Sequence, residues 1–135
     1  MTADSPEYDE RFLQGVAFFN ECEFFEAHDA WEELWADYSG PSRRFYQGLI
    51  QVAVCLHHFG NGNIRGSKKL YFGCRSYLEE YQPHHHGVDV KGLLDQLEIC
   101  CREILESTED FPKIDIIPDT IPEIHLDPPP ASVGE

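Results

Sequence analysis

Positive charge is scarce in this sequence: ten Lys and Arg stand against 25 Asp and Glu, a formal net charge of −15 over 135 residues. That balance argues against a nucleic-acid-binding surface over most of the protein and favours solubility. Cysteine occurs at positions 22, 55, 74, 100 and 101 but never as C-x-x-C, and the odd number does not suit a closed disulfide framework. A reducing, cytoplasmic setting is the simplest expectation. No stretch approaches about 18 consecutive apolar residues. The start, Met1-Thr2-Ala3-Asp4-Ser5-Pro6, has neither a basic head nor an apolar run, so export by that route and a membrane partner are not expected. The length suits one domain, expected as a helical unit over residues 1–127 with a loose tail over 128–135.

The few bases are unevenly placed. Between Tyr38 and Leu78 there is no acidic residue, whereas Arg43, Arg44, Arg65, Lys68, Lys69 and Arg75, six of the ten bases, fall there. Either the two regions pack against each other or the basic one receives an anion. Arg65, Lys68 and Lys69 open a predicted helix, where backbone amides and bases together suit a phosphate-like anion. No Walker glycine-lysine pattern accompanies them, and a solvated basic face is the plainer reading.

Apolar periodicity predicts an all-α protein, a bundle of about five helices. Ser5-Pro6-Glu7 reads as the start of the first helix, which continues through Phe12, Val16 and Phe19 to Asn20. A second runs from Phe24 to Ser39-Gly40-Pro41, where glycine and proline forbid continuation. The third, about 42–59, is apolar nearly all round and belongs in the middle. Gly60-Asn61-Gly62-Asn63 separates it from a fourth through Tyr81, with Asn63 as cap. Pro83-His84-His85-His86-Gly87 reads as a solvated loop whose imidazoles would collect transition metals adventitiously. A fifth helix spans about 89–107. Beyond Pro112, isoleucines interleaved with prolines rule out helix and predict an extended strap laid along the bundle.

The chemistry concentrates in Phe24-Phe25-Glu26-Ala27-His28-Asp29-Ala30-Trp31-Glu32-Glu33-Leu34-Trp35. Phe24, His28, Trp31 and Trp35 share one helical stripe, and Glu32 lies four residues after His28 on its flank. Imidazole and carboxylate can then hydrogen-bond or jointly grip a cation, and a His beside two indoles needs a partner. If the turn centres near Ser39-Gly40, residues of the second and third helices whose numbers sum to about 79 lie level. His28 is then level with Gln51, Glu32 with Gln47, and Trp31 with Gly48, whose missing side chain would admit an indole. His57 and His58 suit the C-terminal end of the third helix electrostatically.

The run Phe24-Phe25-Glu26-Ala27-His28-x-x-Trp31-Glu32-x-x-Trp35, with Gly48-Leu49-Ile50-Gln51 and Gly62-Asn63-x-x-Gly66 downstream, resembles the bacterial and archaeal family catalogued as domain of unknown function 309. The resemblance covers about residues 12–80. It implies a small all-α domain, with the His-x-x-x-Glu pair as a proposed metal site, and it implies no established activity.

Two functional classes follow. In one, His28 and Glu32 form a site for a small polar ligand or a divalent metal (zinc, manganese or iron), lined by Gln47, Gln51, Trp31 and Trp35. The pair supplies two donors where zinc or iron needs three or more, and no accompanying nucleophile assigns a catalytic residue. In the other, the pair is architectural and the 43–75 basic region docks an acidic partner or a second subunit of a homo-oligomer. His28→Ala separates them, abolishing binding with modest stability loss in the first class and mainly destabilising in the second.

Overall fold

The periodic segments become helices in a computed structural model that describes residues 8–130. They are α1 (Glu10–Asn20), α2 (Phe24–Asp37), α3 (Arg43–Gly60), α4 (Ile64–Leu78), α5 (Val90–Cys100) and α6 (Arg102–Glu106). The side chain of Asp9 caps α1 by accepting from Arg11 N, so the helix starts at Glu10. The expected start at Ser5-Pro6-Glu7 lies outside the described residues. Asn63 caps α4 as expected, its Oδ1 accepting from Gly66 N at 3.0 Å. The α-helix stops at Leu78, and a 3-10 turn carries the chain to Tyr81.

Short turns make α1 to α4 successive antiparallel neighbours, and α3 packs against both α2 and α4. The middle position explains why α3 is apolar nearly all round: ten of its 18 residues are buried. The core joins Phe12, Phe19, Trp31, Phe45, Leu49 and Leu56 to Leu93, Leu97 and Ile104 of α5 and α6. Trp31 is fully buried and donates from Nε1 to the Phe12 carbonyl at 3.1 Å.

Three expectations need correction. The fifth helix divides at Cys101, whose backbone (φ −95°, ψ 7°) leaves the helical range although 97, 101, 104 and 105 keep the apolar period. The glycine that receives the Trp31 indole is Gly15 of α1, where a Cβ would lie 2.0 Å from Nε1. Gly48 instead faces Leu78 and Tyr77 of α4. The third correction concerns the histidine run. His84–His85 (β1) pairs antiparallel with Val88–Asp89 (β2), and His86 and Gly87 both take positive φ in the two-residue turn.

His84 is exposed, but His85 and His86 are partly buried against the bundle. His85 Nε2 is 2.8 Å from Ser42 Oγ, and its ring packs on Phe45 and Tyr81. His86 Nε2 is 3.3 Å from the Tyr46 hydroxyl, its ring against Tyr8 and Phe12. Burial, and secondarily the neighbouring imidazole, hold both below the ordinary histidine range. The unfolded chain therefore binds protons more readily just below pH 6.5, so this stabilisation is present above that pH and lost as pH falls. We expect the thermal midpoint to drop between pH 7.5 and 5.5, and the drop to shrink in a His85→Gln/His86→Asn double variant. An unchanged slope in that variant would place the acid sensitivity elsewhere.

The strap is held by identifiable bonds. Asn20 pairs through its side-chain amide with both backbone groups of Ile124, each at 2.8 Å. Asp127 N donates to Gly87 O at 2.9 Å, and Gln96 Oε1 accepts from Glu123 N at 3.1 Å. Ile124 is buried, Ile114, Ile116 and Ile121 are partly buried, and Ile117 is half exposed. Pro128 O accepts from the Tyr8 hydroxyl at 2.6 Å. Of the expected loose tail, residues 128–130 are exposed and 131–135 lie outside the described residues.

Candidate functional site

Four residues of α3 at helical spacing, Gln47, Gln51, Val54 and His58, stay partly exposed while the rest of the helix is mostly covered. They form the floor of a groove. One wall is α2, with His28, Glu32 and Trp35; the other is α4, with Gly66, Leu70, Gly73 and Tyr77 at the same helical spacing. At Gly73 the absence of a side chain leaves room for the Gln51 amide, since a Cβ there would lie 2.4 Å from Oε1. Arg43 and Arg44 straddle one end. The Arg43 guanidinium stacks 4.0 Å from the Trp35 ring centroid, and that of Arg44 lies 4.8 Å from the Tyr77 ring. At the other end the Phe25 ring lies 5.5 Å from the His28 ring and 5.4 Å from that of His57.

His28 sits between two carboxylates. Nε2 is 3.0 Å from Glu32 Oε2, one turn along, and Nδ1 is 3.2 Å from Asp29 Oδ1 but not aligned for a hydrogen bond. A carboxylate thus lies on each edge of the imidazole. A cation on either ring nitrogen would meet one of them and lose the other, and among the described residues no group of three or more His, Cys, Asp or Glu is arranged to hold a metal. The i, i+4 spacing brings His28 and Glu32 together, and Asp29, beside His28 in the chain, is a second neighbour that helical periodicity does not single out.

Three buried side-chain polar atoms among the described residues lack a hydrogen-bond partner: His28 Nδ1, Trp35 Nε1 and Gln51 Oε1. All three belong to residues of this groove. An unpaired buried polar group costs about 1–3 kcal/mol, so three on one face are a concentrated expense in stability. Trp31, predicted to line the site, points instead into the core with its N–H satisfied. The two tryptophans of the motif therefore separate, one core and one groove.

The residues that build this wall lie within a stretch similar to known proteins. Residues 12–70 match the family described as domain of unknown function (DUF309). The match takes in α1 to α3 and the first half of α4, the elements that form the groove. An uncharacterised protein of Bacillus subtilis (strain 168), YpuF, is 34% identical over 79 residues, which is 58% of this chain and 44% of YpuF. An uncharacterised protein of Aquifex aeolicus (strain VF5) is 37% identical over 46 residues, 33% of this chain and 14% of that protein. The matched stretch thus spans less than half of either relative. The hairpin and the strap lie outside the family match.

The basic region does not form one patch. Arg43 and Arg44 open α3, whereas Arg65, Lys68 and Lys69 open the antiparallel α4, so the groups are separated by the length of α3, 18 residues or about 27 Å. Arg44 is paired with Glu80 at 2.9 Å, and Arg65 lies 5.5 Å from the Phe111 ring. At the start of α4, Gly66 N, an amide an anion would need, is taken by Asn63. The five cysteines are free, four of them buried. No described helix is long and apolar enough to cross a membrane.

Proposed function

We propose that the α2–α4 groove is a binding site for a small, extended polar ligand, with His28, Trp35 and Gln51 as the contacting residues. The observation that carries this reading is that the three unpartnered atoms all belong to residues of the α2–α3 pair. Trp35 Nε1 is a donor only, Gln51 Oε1 an acceptor only, and His28 Nδ1 takes either part according to its tautomer. An amide or similar donor–acceptor group complements that set. Counting from the α2–α3 turn puts His28 level with Gln51, and Trp35 lies seven residues beyond His28, about 10 Å along the axis. The ligand is therefore two or three amide-like units long. The three atoms are buried, so presenting them to a ligand requires the terminal torsions of His28 and Gln51 to turn. A divalent metal enters this reading only with donors that the ligand itself brings, because His28 and Glu32 supply two.

N-acetylglycylglycinamide is a suitable probe. On titration we expect the indole N–H resonance of Trp35 to shift saturably while that of Trp31, bonded to Phe12, stays fixed. His28→Ala and Gln51→Leu should each weaken the effect about tenfold, the loss of one well-placed polar contact worth about 1.4 kcal/mol. A Trp31 shift of equal size, or an unchanged response in both variants, would refute the site. Zinc, manganese and iron analysis of untagged protein with His84, His85 and His86 replaced tests the metal separately. Stoichiometric metal lost in both His28→Ala and Glu32→Gln would require a metal centre built on the pair.

A further inference from the structure

Outside the groove, a cleft of about 530 Å³ opens where the first turn of α2 meets the last turn of α3 beneath the strap. That volume lies in the ordinary range of small-molecule sites, roughly 300–1,000 Å³. Phe24, Leu56, Ile116 and Ile121 give it apolar walls. Glu23 and Glu26 supply carboxylates, His57 is the one imidazole, and no Lys or Arg is among its lining residues. The carbonyl end of α3 closes one side with the negative pole of its dipole, while the positive pole of α2 is met by its own first-turn Glu26. Phe25, 50% exposed, stands at the mouth and offers a ring face attractive to a cation. Ile116 and Ile121 lie beyond the family match at residues 12–70, so the strap adds one apolar wall to a cleft whose other lining residues fall within the matched region.

We propose that this cleft binds an amphipathic ammonium: an aromatic or branched-aliphatic body carrying a primary amine. The body packs on Phe24, Leu56, Ile116 and Ile121, and the ammonium sits at the rim between Glu23, Glu26 and the Phe25 ring. A carboxylate ligand would meet two like charges and no Lys or Arg. A neutral ligand of the same shape would keep the apolar contacts and lose the charge interactions, which for exposed carboxylates and one aromatic ring amount to about a fivefold difference in affinity.

The test is a titration of the full isotope-labelled chain with phenethylammonium, 2-phenylethanol and 3-phenylpropionate, following the backbone amides of Phe25, Asn61 and Ile121. Saturable shifts are expected with the amine, about fivefold weaker binding with the alcohol, and none with the carboxylate. A Glu23→Gln/Glu26→Gln variant, changed at two exposed positions, should bind amine and alcohol alike. Ile121→Trp, which fills the cleft, should bind neither. Glu32→Gln, in the groove, should leave the titration unchanged, so this result stands or falls apart from the groove. Equal binding of amine and alcohol by the unmodified chain, binding of the carboxylate, or no binding of any of the three would overturn the proposal.

Discussion

Gly15→Ala is expected to destabilise the protein by about 2–4 kcal/mol, although alanine is the better helix former by about 0.5–1 kcal/mol. The reason is the neighbour: the added Cβ would lie 2.0 Å from Trp31 Nε1 and 2.4 Å from Cδ1. A fully buried indole packed beside Phe19 cannot retreat without cost. Movement also breaks the bond from Nε1 to Phe12 O, leaving both groups buried and unpaired. Gly60→Ala is the internal control. Nothing lies within 4 Å of a Cβ added there, at the last residue of α3, so that change should be neutral or stabilise by up to about 1 kcal/mol. Urea midpoints of the two variants should move in opposite directions or only one of them down. A Gly15→Ala protein as stable as the parent would mean that the indole is not seated against α1.

Asn20→Ala should cost about 2 kcal/mol and free the strap. Asn20 is the last residue of α1, and its amide supplies the donor and the acceptor that a neighbouring β-strand would otherwise give Ile124. Ile124 is buried, so its N–H and C=O lose their partners where water reaches them poorly. Limited proteolysis should then cut between residues 113 and 123 well before the helices unfold, because a single 3-10 turn at Pro118–Thr120 is all the helical bonding that segment has. If the variant resists cleavage as the parent does, the remaining ties at Gln96 and Gly87 suffice and the Asn20 pair is dispensable.

How much of this was legible beforehand depended on whether a feature was local. The ends of α2, α3 and α4 were readable because Ser39-Gly40-Pro41 and Gly60-Asn61-Gly62-Asn63 carry their own backbone restrictions. The division at Cys101 was not, since the apolar period runs through it and the bonds Cys101 N to Leu97 O and Leu105 N to Cys101 O persist on either side. The hairpin was hidden because His-Gly is a weak turn signal beside Asn-Gly; only Gly87 pointed to it. Level counting set Gln51 beside His28 but did not fix azimuth, and Gly48, about 100° around α3 from Gln47, turns to α4 rather than to Trp31. The seat at Gly15 required the α1–α2 register, which no pattern in the chain specifies. Asp29 and the orphaned atoms emerge only from side-chain geometry.

The most direct test of the groove is the stability of Gln51→Leu. A site kept for a ligand holds polar groups that the free protein would be more stable without. Replacing Gln51 by an apolar residue of similar volume removes one unpartnered buried acceptor, so the urea midpoint should stay level or rise, by up to about 1–2 kcal/mol in stability, while affinity for the amide probe falls about tenfold. A fall of more than about 1 kcal/mol with probe response retained would show that Gln51 is a structural tie between α3 and α4, and the groove would then have no claim to be a binding site.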